Sequence, residues 1–143
     1  MSAFVTAINC IDGRVQSPVS SFLKTRFGAQ YVDMITCPGP VSVLSKSEES
    51  QLVRHLHDSV MISVLTHGSG FIAVAAHYDC AANDLSEAEQ RTQIELSILR
   101  IRQWHLPAHV VGLWINSCWN VEEVVCDLTA NKKDFEHALF CND

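Results

Sequence analysis

Two short clusters of reactive side chains stand out in this sequence of 143 residues. Cys10, Asp12 and Arg14 form the first cluster, and His77 and Cys80 form the second. Two thiolates and one imidazole are a soft ligand set that suits zinc. Three protein ligands with an open fourth position are typical of catalytic zinc, whereas structural zinc is normally closed by four protein ligands. The sequence therefore predicts one zinc ion (Zn2+) per chain, bound by Cys10, His77 and Cys80.

Asp12 and Arg14 supply a reason for the open position. Asp12 lies two residues after a predicted ligand and could accept a hydrogen bond from zinc-bound hydroxide, which would hold that hydroxide in one orientation. Arg14 could pair bidentately with this carboxylate and keep it ionised. Because zinc lowers the pKa of its bound water to about 7, the hydroxide would be a strong nucleophile at neutral pH. The competing interpretation of Asp12 and Arg14 is a surface ion pair that contributes little.

The elements that must position these residues alternate between strands and helices. Apolar runs predict strands at 4–9, 31–36, 71–76 and 110–115, with a weaker candidate at 121–128 before a polar tail. Helices are predicted at 20–27, at about 45–66 and from 86 to about 101. Gly28 is expected to end the first helix, and Ser45 and Ser86 to open the other two by capping-box spacing. Residues 37–40, Cys-Pro-Gly-Pro, are expected to form a loop only.

Strands that are apolar throughout, and not alternately, indicate a mostly parallel central sheet flanked by helices. We therefore expect an α/β fold, with residues 1–143 forming a single domain. In open α/β sheets, ligands bind beyond the carboxyl ends of the strands. Cys10 and His77 each follow a predicted strand directly. Two strand ends that are distant in sequence are thus expected to be neighbours in space.

The composition argues against several classes of partner. The chain is 48% hydrophobic and 18% charged, with a formal net charge of −6, as in an ordinary soluble globular protein. Lys and Arg form no cluster, so neither nucleic acid nor an anionic membrane is expected as a partner. No secretory signal and no apolar stretch of membrane length is visible, which favours a cytoplasmic location. The six cysteines are accordingly expected to be mostly free thiols.

The pattern Cys-x-Asp-x-Arg after one strand and His-x-x-Cys after a later strand resembles the β-class carbonic anhydrases. Cys10-Ile11-Asp12-Gly13-Arg14 and His77-Tyr78-Asp79-Cys80 match it residue by residue, and the likeness extends over residues 4–115. The resemblance implies that fold, the three zinc ligands named above, a catalytic Asp12–Arg14 dyad, and a homodimer. It also implies reversible hydration of carbon dioxide to bicarbonate by zinc-bound hydroxide. In part of that family the aspartate occupies the fourth zinc position at low pH, and Asp12 could do so here.

The sequence departs from the family pattern around the expected substrate pocket. Residues 35–40 read Ile-Thr-Cys-Pro-Gly-Pro where the family has a strand ending in Arg-Asn-Ala-Gly, and Ala81-Ala82-Asn83 replaces the usual glycines. These departures keep two alternatives open. One is a zinc hydrolase of a related small linear substrate, carbonyl sulfide or carbon disulfide, and the other is a non-catalytic zinc-stabilised binding domain. A metal-free thiol redox protein using Cys10 and Cys80 is a further alternative.

Other reactive side chains have simpler interpretations. Cys37 could approach the same crevice, but a packed thiol is favoured over a fourth ligand. Tyr78 and Asp79 are expected to support the site or line its rim. Cys10 and Arg14 are separated by three residues, whereas the phosphate-binding loop of cysteine phosphatases has five, so that site is not expected. Core or interface positions are predicted for Trp104, Trp114 and Trp119, and surface or capping positions for His55, His57 and His67.

Overall fold

The computed structural model describes residues 2–126, which form an α/β domain around one five-stranded sheet. The strands are β1 (Phe4–Cys10), β2 (Tyr31–Cys37), β3 (Phe71–His77), β4 (His109–Ile115) and β5 (Val121–Cys126). Their order across the sheet is β2-β1-β3-β4-β5. The first four strands run parallel, and β5 pairs antiparallel with β4 at one edge. The predicted α/β fold with a mostly parallel sheet is confirmed.

Helices cover both faces of the sheet. The helix α1 (Gln16–Phe27) packs on one face, where it buries Val19 and Leu23. The opposite face carries α2 (Pro40–Leu44), α3 (Gln51–Met61) and α4 (Glu87–Arg102). A π-helical turn, Ile62–Thr66, continues α3. The strands are buried on both sides for this reason, which explains their continuous apolar sequences.

Each face of the sheet has its own apolar core. On the face of α1, Val5 and Ala7 of β1 pack with the buried side chains of that helix. On the other face, Ile94, Ile98 and Ile101 of α4 lie at helical spacing and are fully buried. These two cores fix the sheet from both sides, so the carboxyl ends of its strands form a rigid platform.

Two predicted helix boundaries, the end of α1 and the start of α4, agree with the structure. Gly28 adopts the left-handed conformation, with φ of 67°, and ends α1. The capping box at the start of α4 is complete. The Ser86 hydroxyl accepts from the Glu89 backbone N–H at 3.2 Å, and the Glu89 carboxylate accepts from the Ser86 backbone N–H at 3.0 Å.

Two predicted helix starts are wrong. The first helix begins at Gln16 and not at residue 20, because the 3-10 turn Gly13–Val15 leads directly into it. The third helix begins after Ser50, whose hydroxyl accepts from the Val53 backbone N–H. Ser45 instead ends α2, where its own backbone N–H donates to preceding carbonyls.

The segment 37–40 is not only a loop. Cys37 completes β2, and Pro40 is the first residue of α2. Proline suits the first helical position because its fixed φ fits the helix and its missing N–H would have no partner there. The predicted strand at 121–128 is present as β5 up to Cys126. Residues 127 and 128 and the predicted polar tail lie outside the described residues.

Within the described residues, none of the helices combines the length and apolar character needed to cross a membrane.

Candidate metal centre

The candidate site lies at the carboxyl edge of the sheet, where β1 and β3 are neighbours. Cys10 and His77 are the last residues of these two strands. Cys80 follows in a tight turn, and the Cys80 carbonyl accepts from the Asn83 backbone N–H at 3.2 Å. All three side chains are buried, and their potential ligand atoms lie within 4.8 Å of one another. Among the side chains that the structure describes, this is the one cluster of three or more Cys, His, Asp or Glu residues whose ligand atoms are close enough to hold a metal ion.

The two sulfur atoms have a separation that suits a shared metal ion. The Sγ atoms of Cys10 and Cys80 are 3.9 Å apart. Two thiolates on one tetrahedral zinc ion, each with a bond of about 2.3 Å, would be roughly 3.8 Å apart. A disulfide would instead need about 2.05 Å, and both cysteines are free thiols, as are Cys37 and Cys118.

The imidazole of His77 is oriented toward the same space. Its Nδ1 lies 2.7 Å from the Tyr78 carbonyl oxygen, so Nδ1 carries the proton and donates it to that oxygen. The other ring nitrogen, Nε2, is buried and has no hydrogen-bond partner. A buried polar atom without a partner costs free energy unless something binds to it. The lone pair on Nε2 and the two nearby sulfur atoms fit a metal ion, since all three are good ligands for zinc.

The thiols of the site have shifted pKa values. Burial would raise the pKa of Cys10, but in the metal-free site a protonated His77 ring and the backbone amides of Gly39 and Asp12 outweigh it and lower that pKa to about 7. Burial and the nearby charge of Cys10 raise the pKa of Cys80. Cys10 is thus the thiol most ready to become a thiolate at neutral pH.

Cys37 lies beside the site but does not join the group of ligand atoms. It is the residue paired with Cys10 across the parallel strands β1 and β2. Burial, together with the charges of Cys10 and Cys80, raises the pKa of Cys37 to about 11. The structure therefore places Cys37 as a packed, protonated thiol, in agreement with the favoured interpretation of the sequence.

Asp12 and Arg14 form a bidentate ion pair at the mouth of the site. Arg14 Nε donates to Asp12 Oδ1 at 3.0 Å, and Arg14 Nη2 donates to Asp12 Oδ2 at 2.7 Å. The Asp12 carboxylate also accepts from the Arg14 backbone N–H at 2.9 Å. These hydrogen bonds lower the pKa of Asp12 to about 2, so it remains ionised at neutral pH. Asp12 Oδ2 lies 4.0 Å from His77 Nε2, which puts the carboxylate next to the candidate ligand atoms.

Two residues that the sequence did not single out hold the loop after β1. The buried amide of Asn9 accepts from the Cys10 backbone N–H at 3.0 Å and donates to the Val15 carbonyl at 3.2 Å. Gln16 donates to the carbonyls of Cys10 and Asp12, at 2.7 and 2.9 Å. Neither residue carries a motif, and only the folded loop shows what it does.

Arg14 has further partners beyond Asp12. Its Nη1 donates to Asp79 Oδ2 at 3.2 Å, and its Nη2 donates to the Asp79 backbone carbonyl at 3.1 Å. The indole of Trp119 lies against the guanidinium, with Arg14 Cζ 4.4 Å from the ring centroid. Asp79 was expected at the site, whereas Trp119 was expected only as a core or interface aromatic. No local pattern could reveal it, because it reaches the site from the turn between β4 and β5.

The tryptophans and histidines considered next do not belong to the group of ligand atoms. Trp114 is a buried core side chain, as predicted. His57 lies beside Asp58 and packs edge-on against Trp104. His67 caps the end of the π-helical turn, and its Nδ1 lies 2.6 Å from Asp33.

Comparison with solved structures shows the same fold in known enzymes. The β-carbonic anhydrase isoform I of Trichomonas vaginalis superimposes with a TM-score of 0.55 at 15% identity, over 87% of this chain and 83% of that one. The carbonic anhydrase of Streptococcus mutans gives 0.54 at 16% identity, over 87% and 86%. That of Glaciozyma antarctica gives 0.53 at 14%, over 84% and 81%. No curated protein sequence matches the chain.

The sequence also matches a family model over nearly the whole described region. The model carries the description "Putative carbonic anhydrase" and aligns with residues 1–125. This match includes every strand except the last residue of β5, and both clusters of reactive side chains. The five-stranded, mostly parallel sheet agrees with the fold of the β-carbonic anhydrases named above. The chain belongs to this carbonic anhydrase family.

Proposed function

We propose that the protein is a zinc enzyme that reversibly hydrates carbon dioxide to bicarbonate, with zinc held by Cys10, His77 and Cys80. One observation carries the proposal. The buried Nε2 of His77 has no partner and faces two sulfur atoms, with all three ligand atoms within 4.8 Å. Three ligands leave a fourth tetrahedral position for solvent or substrate. When bound, zinc makes water a strong nucleophile at neutral pH.

The backbone prepares two of the three ligands, His77 and Cys10, before any ion binds. The Tyr78 carbonyl accepts the proton on His77 Nδ1 and so keeps the lone pair on Nε2. Amide donors to the Cys10 sulfur favour its thiolate form, which is the form that binds metal. Little reorganisation is then needed on binding.

Asp12 orients the attacking water. With a pKa of about 2, its carboxylate is ionised at neutral pH and can accept hydrogen bonds but not donate them. Oδ2, 4.0 Å from His77 Nε2, can accept a hydrogen bond from a water in the fourth position. A hydroxide in that position would direct its O–H at Asp12 and keep a lone pair for the carbon of the substrate, so that its addition to carbon dioxide would give bicarbonate. Arg14 holds the carboxylate in this place through two N–H donors.

Stopped-flow hydration of carbon dioxide tests this proposal. Zinc-loaded protein is assayed at pH 8–9 beside Asp12→Asn, which keeps the three ligands but weakens the orienting acceptor. We expect a rate well above buffer for the wild type. For the variant we expect a loss of about 10–100-fold with zinc still bound, the usual cost of removing a partner of the metal site. A wild-type protein with one bound zinc and no rate above buffer would contradict the proposal. Sulfide release from carbonyl sulfide by that same sample would then indicate the related hydrolase.

We further propose that the enzyme is a homodimer. Two exposed apolar side chains beside the site support this: Ile11 is 59% exposed and Tyr78 is 50% exposed. A second copy covering them would remove apolar surface from water. Sedimentation analysis should give about twice the chain mass of 15.9 kDa, and a monomer at micromolar concentration would contradict this.

A further inference from the structure

The guanidinium of Arg14 is held by more than its acidic partner in the dyad. Of its five N–H donors, Nε and one on Nη2 point to Asp12, while others on Nη1 and Nη2 point to Asp79. The Trp119 ring packs against it at 4.4 Å. Three loops, after β1, after β3 and between β4 and β5, therefore meet on one side chain.

Two of the residues that contact Arg14 have an unusual backbone conformation. Asp79 and Trp119 both adopt left-handed backbone conformations, with φ of 58° and 62°. Aspartate tolerates a left-handed backbone, but a bulky residue such as tryptophan holds it only where the surroundings fix it. Asp79 also lies between His77 and Cys80, so the turn that carries two candidate ligands is tied directly to Arg14.

The hold on Arg14 matters because its partner Asp12 lies close to the candidate ligand atoms. Its Oδ2 is 4.0 Å from His77 Nε2, and its side chain is 18% exposed. A small rotation would carry the carboxylate into the space between the three ligand atoms. The bidentate pair with the Arg14 side chain and the hydrogen bond from the Arg14 backbone N–H both oppose that rotation. Of the two, the side-chain pair depends on how firmly the guanidinium itself is held.

We propose that Asp79 and Trp119 are positioning residues that anchor Arg14, and that they thereby keep the Asp12 carboxylate beside the fourth metal position instead of in it. This inference rests on the proposed function for the identity of the metal site. Asp79 supplies a carboxylate and a carbonyl oxygen to one edge of the guanidinium, and Trp119 covers its face. Loss of both anchors frees Arg14, and Asp12 then turns toward the metal and occupies the position that solvent needs.

The test combines activity with a spectroscopic readout of coordination. Zinc has no visible bands because its d shell is full, so the protein is loaded with Co2+, whose visible absorption reports the number and type of ligands. The variants are Asp79→Asn, Trp119→Leu and their combination. Asparagine tolerates the left-handed conformation as aspartate does, so the turn is retained. Trp119→Phe keeps an aromatic face and serves as the conservative rescue. Asp84→Asn, an exposed residue of the same loop, is the matched control.

The proposal expects three results. In the zinc enzyme, the double variant loses about tenfold or more in hydration rate, the usual cost for partners of a metal site, while Trp119→Phe and Asp84→Asn stay near wild type. In the cobalt protein, the double variant shows a changed visible spectrum at full metal content. That change disappears when Asp12→Asn is added, because the carboxylate that causes it is gone.

Two results would overturn the proposal. The first is a double variant with wild-type activity and spectrum. The second is a spectral change that persists in the Asp12→Asn background, since it would arise from general distortion of the site. If the wild type binds metal but does not hydrate carbon dioxide, the proposed function fails, yet the cobalt spectra still decide whether Asp79 and Trp119 control Asp12.

Discussion

The two ring nitrogens of His77 show how single atoms define the site. Nδ1 is satisfied by a backbone carbonyl, while Nε2 is buried without a partner and faces two sulfur atoms. A core histidine that served packing alone would be expected to satisfy both nitrogens. A histidine that binds a metal needs this arrangement, in which one ring nitrogen donates its proton to the protein and the other keeps its lone pair for the ion.

Removing one ligand should therefore abolish tight metal binding. We expect Cys80→Ser to reduce zinc content from about one per chain to near zero after exchange against a chelator, because two remaining ligands hold zinc weakly. The measurement is elemental analysis of both proteins. Cys118→Ser is the matched control, since Cys118 is an exposed free thiol. Equal zinc content in wild type and Cys80→Ser would show that Cys80 is not a ligand.

Cys10 should ionise near neutral pH once metal is removed. Its pKa is lowered to about 7, whereas that of Cys37 is raised to about 11. The thiol is protonated below its pKa, so thiolate should appear as the pH rises through 7, and Cys37 should contribute none there. Ultraviolet absorbance of thiolate in the chelator-treated protein measures this. The step should vanish in Cys10→Ser, and a wild-type curve that stays flat up to pH 8 would contradict the assignment.

At the scale of elements, two serines between α2 and α3 have different roles and can be compared. Ser50 accepts from the Val53 backbone N–H and caps the helix, whereas Ser45 ends α2 through its backbone. We expect Ser50→Ala to lower the free energy of unfolding by about 1 kcal/mol. Ser45→Ala should change it by less than about 0.5 kcal/mol, as surface substitutions usually do. Urea unfolding measures both, and equal losses would contradict the helix boundary.

The strands could be predicted from sequence because their apolar runs are long and continuous. Each of the four parallel strands agrees with its prediction to within one residue at either end. Helix starts were harder, because Ser45 and Ser50 both offer a hydroxyl, and only tertiary packing selects between them. The short helix α2 was missed since Pro38-Gly39-Pro40 reads as a turn, although Pro40 suits a first helical position.

In the site, too, some residues could be predicted from the sequence and others could not. Cys10, Asp12 and Arg14 share one short motif, and His77 and Cys80 share another, so sequence spacing was enough to propose them. Their convergence followed from the parallel sheet, which brings strand ends to one edge. The contribution of Trp119 depends on the path of the β4–β5 turn, and no spacing rule predicts that path.

For the molecule as a whole, metal binding should stabilise the folded state. The ligands come from two separate strand ends and the turn after one of them, so an unfolded chain does not present them together. Free zinc at about a thousand times its dissociation constant would add roughly 4 kcal/mol. We expect chelation to lower the midpoint of thermal unfolding by several degrees and added zinc to restore it. Cys80→Ser should show no such response, and an equal response in that variant would indicate that zinc acts elsewhere.

The central claim is that Cys10, His77 and Cys80 hold one zinc ion and leave its fourth position to a ligand that binds through oxygen or nitrogen. X-ray absorption at the zinc edge of the purified protein tests this most directly, because it counts sulfur and nitrogen or oxygen neighbours. We predict two sulfur neighbours at about 2.3 Å and two nitrogen or oxygen neighbours at about 2.0–2.2 Å. A third sulfur would mean that another cysteine closes the site, and a first shell without sulfur, or a protein without zinc, would contradict the account.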